Sequence, residues 1–508
     1  MDEKIPGDKG LESDIYMDTD RKRLLFLSWL IVLMLSIRVC SAAGPAEDLF
    51  RRALEAERTG SLDLALTLLN EAAQQAPGNS AILNNRSVIH ATRGHYDQAL
   101  QDLDTAVRIN PHDPGSYVNR GKVHEALGRN GEALRDYGRA LEIQGDYLPA
   151  LFQRASLNAG AGSEALARDD LNKLLKLEPL HVPALILLGN LNLSTGKTKE
   201  ALKPFSAAVR ADPGNREAHR GMADAEFARG EFQAAVESYG RALSGEAPDA
   251  ALLINRGSAL VRLGRFDEAI RDCEAAVRLS PGSSEANYNL GTALAAAGKD
   301  REAIASFSTA ITLDPNRAEY YHNRAVSHAI LGEPDKAKDD LDAALRLDPR
   351  SARALNARGT IFWHRGKTQQ ALDDFTRAVE LDKDASALKN LAALYLARDG
   401  YEKATQLLER ATKLAPRDAE VLRGLGDVWL ARKNAAKALA YYRRSLSEAG
   451  SEDQRSTIRI RMGRAWEESG NLRKAAQAYQ EAGDTAGDAA IKRALARKIE
   501  ELNSGEKR

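Results

Sequence analysis

Cysteine is almost missing from this 508-residue chain: only Cys40 and Cys273 occur. Two thiols cannot build a disulfide framework, and removing a leader that ends at Ala43 would leave Cys273 alone. An excess of one charge is missing too, with 72 basic residues against 72 acidic ones and no basic stripe. That balance argues against nucleic acid as the main partner. Aromatic residues, at 6%, are too sparse for base-stacking platforms. No His-x-x-x-His pair and no paired cysteines offer zinc ligands, so no metal and no cofactor is expected. Gly196-Lys197-Thr198 and Gly366-Lys367-Thr368 imitate the end of a phosphate-binding loop, but Leu191 and Ile361 stand where a further glycine is required. Such a loop also follows a strand, where this chain has a helical pattern, so nucleotide binding is not expected. Strand-rich and low-complexity stretches are missing as well.

What the chain has is one segment written many times. In Ala250–Gly282, Leu253, Gly257, Leu260 and Val261 recur at helical spacing, and Gly264 interrupts them. Phe266, Ala269, Ile270, Cys273, Ala276 and Val277 form a second apolar stripe, closed by Pro281. Two helices joined by so short a turn lie antiparallel. The glycine column repeats every 34 residues as Gly60, Gly94, Gly128, Gly162, Gly196, Gly230, Gly264, Gly298, Gly332 and Gly366. An alanine column runs in phase from Ala65 through Ala269 to Ala371 and resumes at Ala404, Ala438 and Ala475. A proline column includes Pro77, Pro111, Pro179, Pro213, Pro281, Pro315, Pro349 and Pro416. A single hairpin cannot bury both of its faces, so each needs a copy on either side.

These columns resemble the tetratricopeptide repeat, in about thirteen copies between Ala46 and about Ala489. The resemblance implies an all-α fold, a right-handed superhelical solenoid of antiparallel helix pairs with a C-terminal capping helix. It also implies that the first helix of each pair lines a concave groove where peptides bind. The expected organisation is a polar and basic region at 1–23, a signal peptide or membrane anchor at 24–43, repeats one to twelve at 46–452, repeat thirteen at 456–489, and a capping helix and tail at 490–508. The eleventh turn shifts to Asp399-Gly400, and the twelfth has Lys433-Asn434, where asparagine suits the left-handed conformation. With an insertion at Glu452–Arg455, this region is the expected bend in the stack.

Arg21-Lys22-Arg23, the apolar run Leu24–Ile37 and the small residues Ser41-Ala42-Ala43-Gly44 make a secretory signal pattern. An uncleaved single-pass anchor is the alternative, and both readings put the repeats outside the cytosol, in a periplasm or secreted.

One pair of columns and one single column carry candidate function. Arg86, Arg120, Arg154, Arg256, Arg324 and Arg358 could hook an acidic ligand. Sixteen residues on, however, stand Asp102, Asp136, Asp170, Asp272, Asp340 and Asp374, and later repeats lacking the arginine lack the aspartate too. This joint variation predicts structural ion pairs between the two helices of one repeat. Beside the arginines lie Asn85, Asn119, Asn255, Asn289, Asn323 and Asn390, in the column that the resemblance places in the groove. Carboxamides donate and accept, so a row of them can hold a peptide backbone without reading its sequence. Asn255, Asn289 and Asn323, from three consecutive repeats, are the preferred partner-binding set. The lysines of a carboxylate clamp are missing beside Asn85 and Asn119, which disfavours chaperone-tail binding. The expected function is a non-catalytic scaffold or adaptor for protein segments; the alternative is a regulatory or specificity subunit docking an enzyme such as a glycosyltransferase, or an envelope or secretion assembly.

Overall fold

The computed structural model describes residues 44–245, 248–382 and 384–505. The signal or anchor at 24–43 and the basic region before it lie outside the described residues. The described chain holds twenty-seven α-helices and no strand, arranged as thirteen hairpins and a final helix, Ala489–Gly505. Helix A and helix B denote the first and second helix of each hairpin. The seventh hairpin, Ala250–Arg262 with Phe266–Leu279, is representative. Asp249 caps its helix A by accepting from the Ala251 backbone N–H at 2.8 Å. Gly264, with φ of 74°, reverses the chain in the left-handed region. Where the glycine column lapses, Asp399 and Lys433 take that conformation, at φ of 58° and 59°. This corrects the sequence expectation at the twelfth turn. Asn434 sits one position later, where its side chain caps helix B by accepting from Lys437 N at 3.0 Å. Register, more than residue type, decides which residue bears the unfavourable φ.

Helices A and B of a hairpin meet through the small columns. Ala269 and Ala276 are fully buried, and Gly257 leaves room for Cys273, whose sulfur would lie 2.8 Å from a β-carbon there. Cys273 is itself buried, and burial pushes its thiol up to about 12, so it stays protonated as a packing group.

The chain divides into two compact units between Pro248 and Asp249. The first holds hairpins one to six, the second hairpins seven to thirteen and the final helix. The division falls neither at the shifted eleventh turn nor at the Glu452–Arg455 insertion, where the sequence places the bend. Helix B of the sixth hairpin, Phe232–Ala242, spans 11 residues against 14 in helix Phe266–Leu279, while the 34-residue period stays intact. The Glu452–Arg455 insertion is the first turn of a longer helix A, Glu452–Glu468. Within each unit, most A helices also pack on helix A of the next hairpin, among them those of hairpins seven, eight and nine.

Candidate functional site

The six arginines and six aspartates meet in the structure. In each repeat the arginine Nε and Nη2 donate to the two oxygens of the aspartate, at 2.6–2.9 Å. The planar fork matches the carboxylate, and the aspartates are buried. The arginines do a second job that the sequence did not show. Nη1 of Arg86, Arg120, Arg324 and Arg358 reaches back sixteen residues to helix B of the preceding repeat. The acceptors there are Asn70, Asp104, Ser308 and Asp342. Arg154 and Arg256 have Gly138 and Gly240 at that place and, among the described residues, hydrogen-bond only to their own aspartate. One guanidinium thus ties three helices together, and none of the six stands free for a ligand.

A second polar link crosses the hairpin through tyrosine. Tyr137, Tyr239, Tyr442 and Tyr479 of helix B pass beneath helix A and donate to Glu125, Asp224, Asp427 and Glu467. The distances are 3.0 Å for Tyr137, 2.5 Å for Tyr239 and 2.7 Å for Tyr442. Burial, then the carboxylate, pushes the Tyr442 phenol well up. Gly121, Gly426 and Gly463 admit three of these rings, where a β-carbon would lie 2.4–2.5 Å from ring carbon.

Asn192 serves the fold in another way. Pro204 lies inside helix Thr198–Ala211 and has no N–H for the Glu200 carbonyl. The Asn192 carboxamide donates to that carbonyl at 3.3 Å and accepts from Arg168 Nη1 at 2.6 Å.

The asparagine row is divided. Asn119 is buried and donates to Asn84 Oδ1 at 2.9 Å, so it belongs to the packing of neighbouring A helices. Asn390 donates to Asn356 Oδ1 at 3.0 Å, and Asn323 to the Tyr288 hydroxyl at 2.9 Å. Each is a rung between consecutive A helices. Asn85 and Asn289 donate to backbone carbonyls one turn back, at 2.8 and 2.9 Å. Asn289 Oδ1 also accepts from Ser258 Oγ at 3.3 Å. Asn255 is the one of the six with no hydrogen bond among the described residues. Asn255, Asn289 and Asn323 are half-buried and, with Ser258 and Tyr288, form a row of uncharged carboxamide, hydroxyl and phenol groups, with Glu319 and Arg353 close enough to act on Tyr288. His322 lies within this row, its Nδ1 buried without a partner. Burial, helped by Arg353, pushes that imidazole down to about 4, so it is uncharged at neutral pH. Among the described residues no group of three His, Cys, Asp or Glu is placed to hold a metal ion. No helix among them is long and apolar enough to cross a membrane.

A model described as "Tetratricopeptide repeat" matches residues 152–216, 186–251, 220–284, 254–318, 322–386 and 389–453. Related models match 89–128 and 114–147. No curated protein matches the chain. Among solved structures, the Cut9–Hcn1 hetero-tetramer of APC/C contains a chain 17% identical over 87% of this chain and 98% of its own, with a TM-score of 0.45. Yeast Tom70 is 17% identical over 91% of this chain and 96% of its own, with a TM-score of 0.40. YrrB, described as a TPR protein with an unusual peptide-binding site, is 25% identical over 37% of this chain and 97% of its own, with a TM-score of 0.32.

Proposed function

Since the chain belongs to the tetratricopeptide repeat family, we propose that it is a non-catalytic scaffold holding peptide segments of partner proteins along its A helices. The observation that carries this reading is the row of uncharged carboxamides on the A helices of hairpins seven to nine. Asn255 keeps its donors and acceptor uncommitted. Asn289 and Asn323 each donate one N–H within the fold, at 2.9 Å, and Asn289 also accepts from Ser258 at 3.3 Å, which leaves each a further N–H and acceptor capacity. Each hydrogen bond to a bound backbone contributes about 1 kcal/mol, so several in register are needed for micromolar affinity. The scaffold reading includes a location outside the cytosol, supported by the basic, apolar and small-residue order of residues 21–44.

The test is alanine at Asn255, Asn289 and Asn323 together. Capture of partner proteins from the native envelope fraction is expected to fall more than tenfold, with a melting temperature close to the parent's. Capture at parental levels would remove these asparagines from the binding surface.

A further inference from the structure

We propose that a cavity between hairpins nine and ten binds a phosphate monoester, the phosphoryl group of a phosphorylated side chain or small molecule. This site is separate from the carboxamide row and does not rest on the scaffold reading. The cavity has a volume of about 360 Å³. Helix B of hairpin nine, Pro334–Leu347, contributes Asp342, Leu345 and Arg346, and Pro349 follows it. Hairpin ten contributes Leu355 and Arg358 from helix A and Arg377 from helix B. Three guanidiniums and one carboxylate therefore line the wall.

Arg358 is already held, by Asp374 at 2.8 Å and by Asp342 at 2.7 Å, and Lys338 also pairs with Asp342 at 2.7 Å. The outer two arginines are uncommitted. Arg346 is exposed and makes no hydrogen bond or ion pair among the described residues. Arg377 is exposed and spends one N–H on the Pro349 carbonyl, at 3.0 Å. The exposed carboxylates nearest in sequence, Asp348, Asp373 and Glu380, lie outside the wall and pair with neither arginine among the described residues. With the ion-paired neighbours Lys338, Asp339 and Asp374 included, four cations meet three carboxylates. Asp339, 3.6 Å from Lys338, is 80% exposed and outside the wall, so the positive surplus falls on the cavity.

The same residue types recur seven hairpins earlier as Asp104, Arg108, Arg120 and Arg139. There the outer arginines are spent, Arg108 on Thr105 at 3.3 Å and Arg139 on Glu142 at 2.8 Å. Tyr117, at the place of Leu355, lies with its ring 5.5 Å from the Arg120 guanidinium. In hairpin nine Ala343 replaces Thr105, which leaves Arg346 without that acceptor. Glu380 stands at the place of Glu142, yet Arg377 turns from it to the Pro349 carbonyl. The two open guanidiniums are thus a property of this boundary and not of the repeat. A phosphate monoester carries about −1.5 to −2 charges at pH 7 and three acceptor oxygens, which serves Arg346 and Arg377 together. A lone carboxylate offers one charge and one planar edge, and leaves one of the two without a counter-charge.

The experiment titrates the full chain with N-acetyl-Ala-phosphoserine-Ala-amide and its glutamate counterpart, read by saturation-transfer NMR, with inorganic phosphate as competitor. At about pH 7.5, where the ester is a dianion, the phosphoserine peptide is expected to bind at least fivefold more tightly than the glutamate peptide. Arg346→Gln is expected to weaken phosphoserine binding at least fivefold. Arg346 makes no bond within the described fold, so this variant keeps the parent's stability, which its melting curve checks. Arg139→Gln, at the matching place where the arginine is already paired, should leave binding unchanged. Inorganic phosphate should displace the peptide, at comparable concentration if the site takes the free ion and only in excess if Leu345 and Leu355 also contact an ester. Equal binding of the two peptides, binding unaffected by Arg346→Gln, equal losses in Arg346→Gln and Arg139→Gln, or no displacement by phosphate would each overturn the proposal.

Discussion

Arg358→Ala is expected to lower unfolding stability by about 3 kcal/mol, because it leaves two carboxylates without their shared cation. Arg358 donates to Asp374 at 2.8 Å through both Nε and Nη2, and to Asp342 at 2.7 Å through Nη1. Asp374 is buried, so water cannot replace the lost donors fully. Lys338 still pairs with Asp342 at 2.7 Å, so the greater share of the loss falls on Asp374. Arg256→Ala, which strands Asp272 alone, should lose less. Urea unfolding of Arg358→Ala, Asp374→Ala and the double variant gives the coupling. The double variant should lose less than the sum of the singles by about 1.5 kcal/mol or more, as for groups in direct contact. Strict additivity would contradict the assignment of these arginines to the fold.

Gly221→Ala should destabilise by about 2 kcal/mol through overpacking. The Phe205 ring is fully buried between two A helices. A β-carbon at Gly221 would lie 2.2 Å from ring carbon Cε1, and one at Gly189 would lie 2.5 Å from Cζ. With glycine on both sides, the ring has nowhere to move. Phe205→Leu in the Gly221→Ala background should recover most of the loss, since the shorter side chain vacates the ring positions. A loss that persists in the double variant would place the strain elsewhere. Gly221 occupies the column of Asn255 and Asn323, so Phe205 also explains why no carboxamide stands in that repeat.

The sequence exposed those features that depend on one column of fixed residue type. Glycine, alanine and proline columns revealed the hairpins, and the joint appearance of arginine and aspartate sixteen apart revealed the ion pairs. The backward contacts of the arginines were hidden because asparagine, aspartate and serine all serve as acceptors there. The tyrosine links were hidden for a geometric reason. Glu125 and Glu467 precede their tyrosines by 12 residues, whereas Asp224 and Asp427 precede theirs by 15. A glutamate one turn further along helix A reaches the hydroxyl as well as an aspartate does, so no single column holds the acceptor. Scanning for carboxylates only in repeats that bear tyrosine would have found them. The bond from Asn192 to Glu200 answers a missing N–H, which no residue column records. Among the asparagines, residue type alone could not separate Asn119, buried between A helices, from Asn255, half-buried with no hydrogen bond among the described residues.

Photocrosslinking in the native cell tests the scaffold reading most directly. A benzoylphenylalanine at Ser258, which donates to Asn289 at 3.3 Å beside the carboxamide row, is compared with one at the exposed Glu274 of helix B. The scaffold reading predicts discrete protein adducts from Ser258, lost when Asn255 and Asn323 are alanine, and none from Glu274. Adducts from Glu274 alone, or the same adducts from both positions, would contradict it.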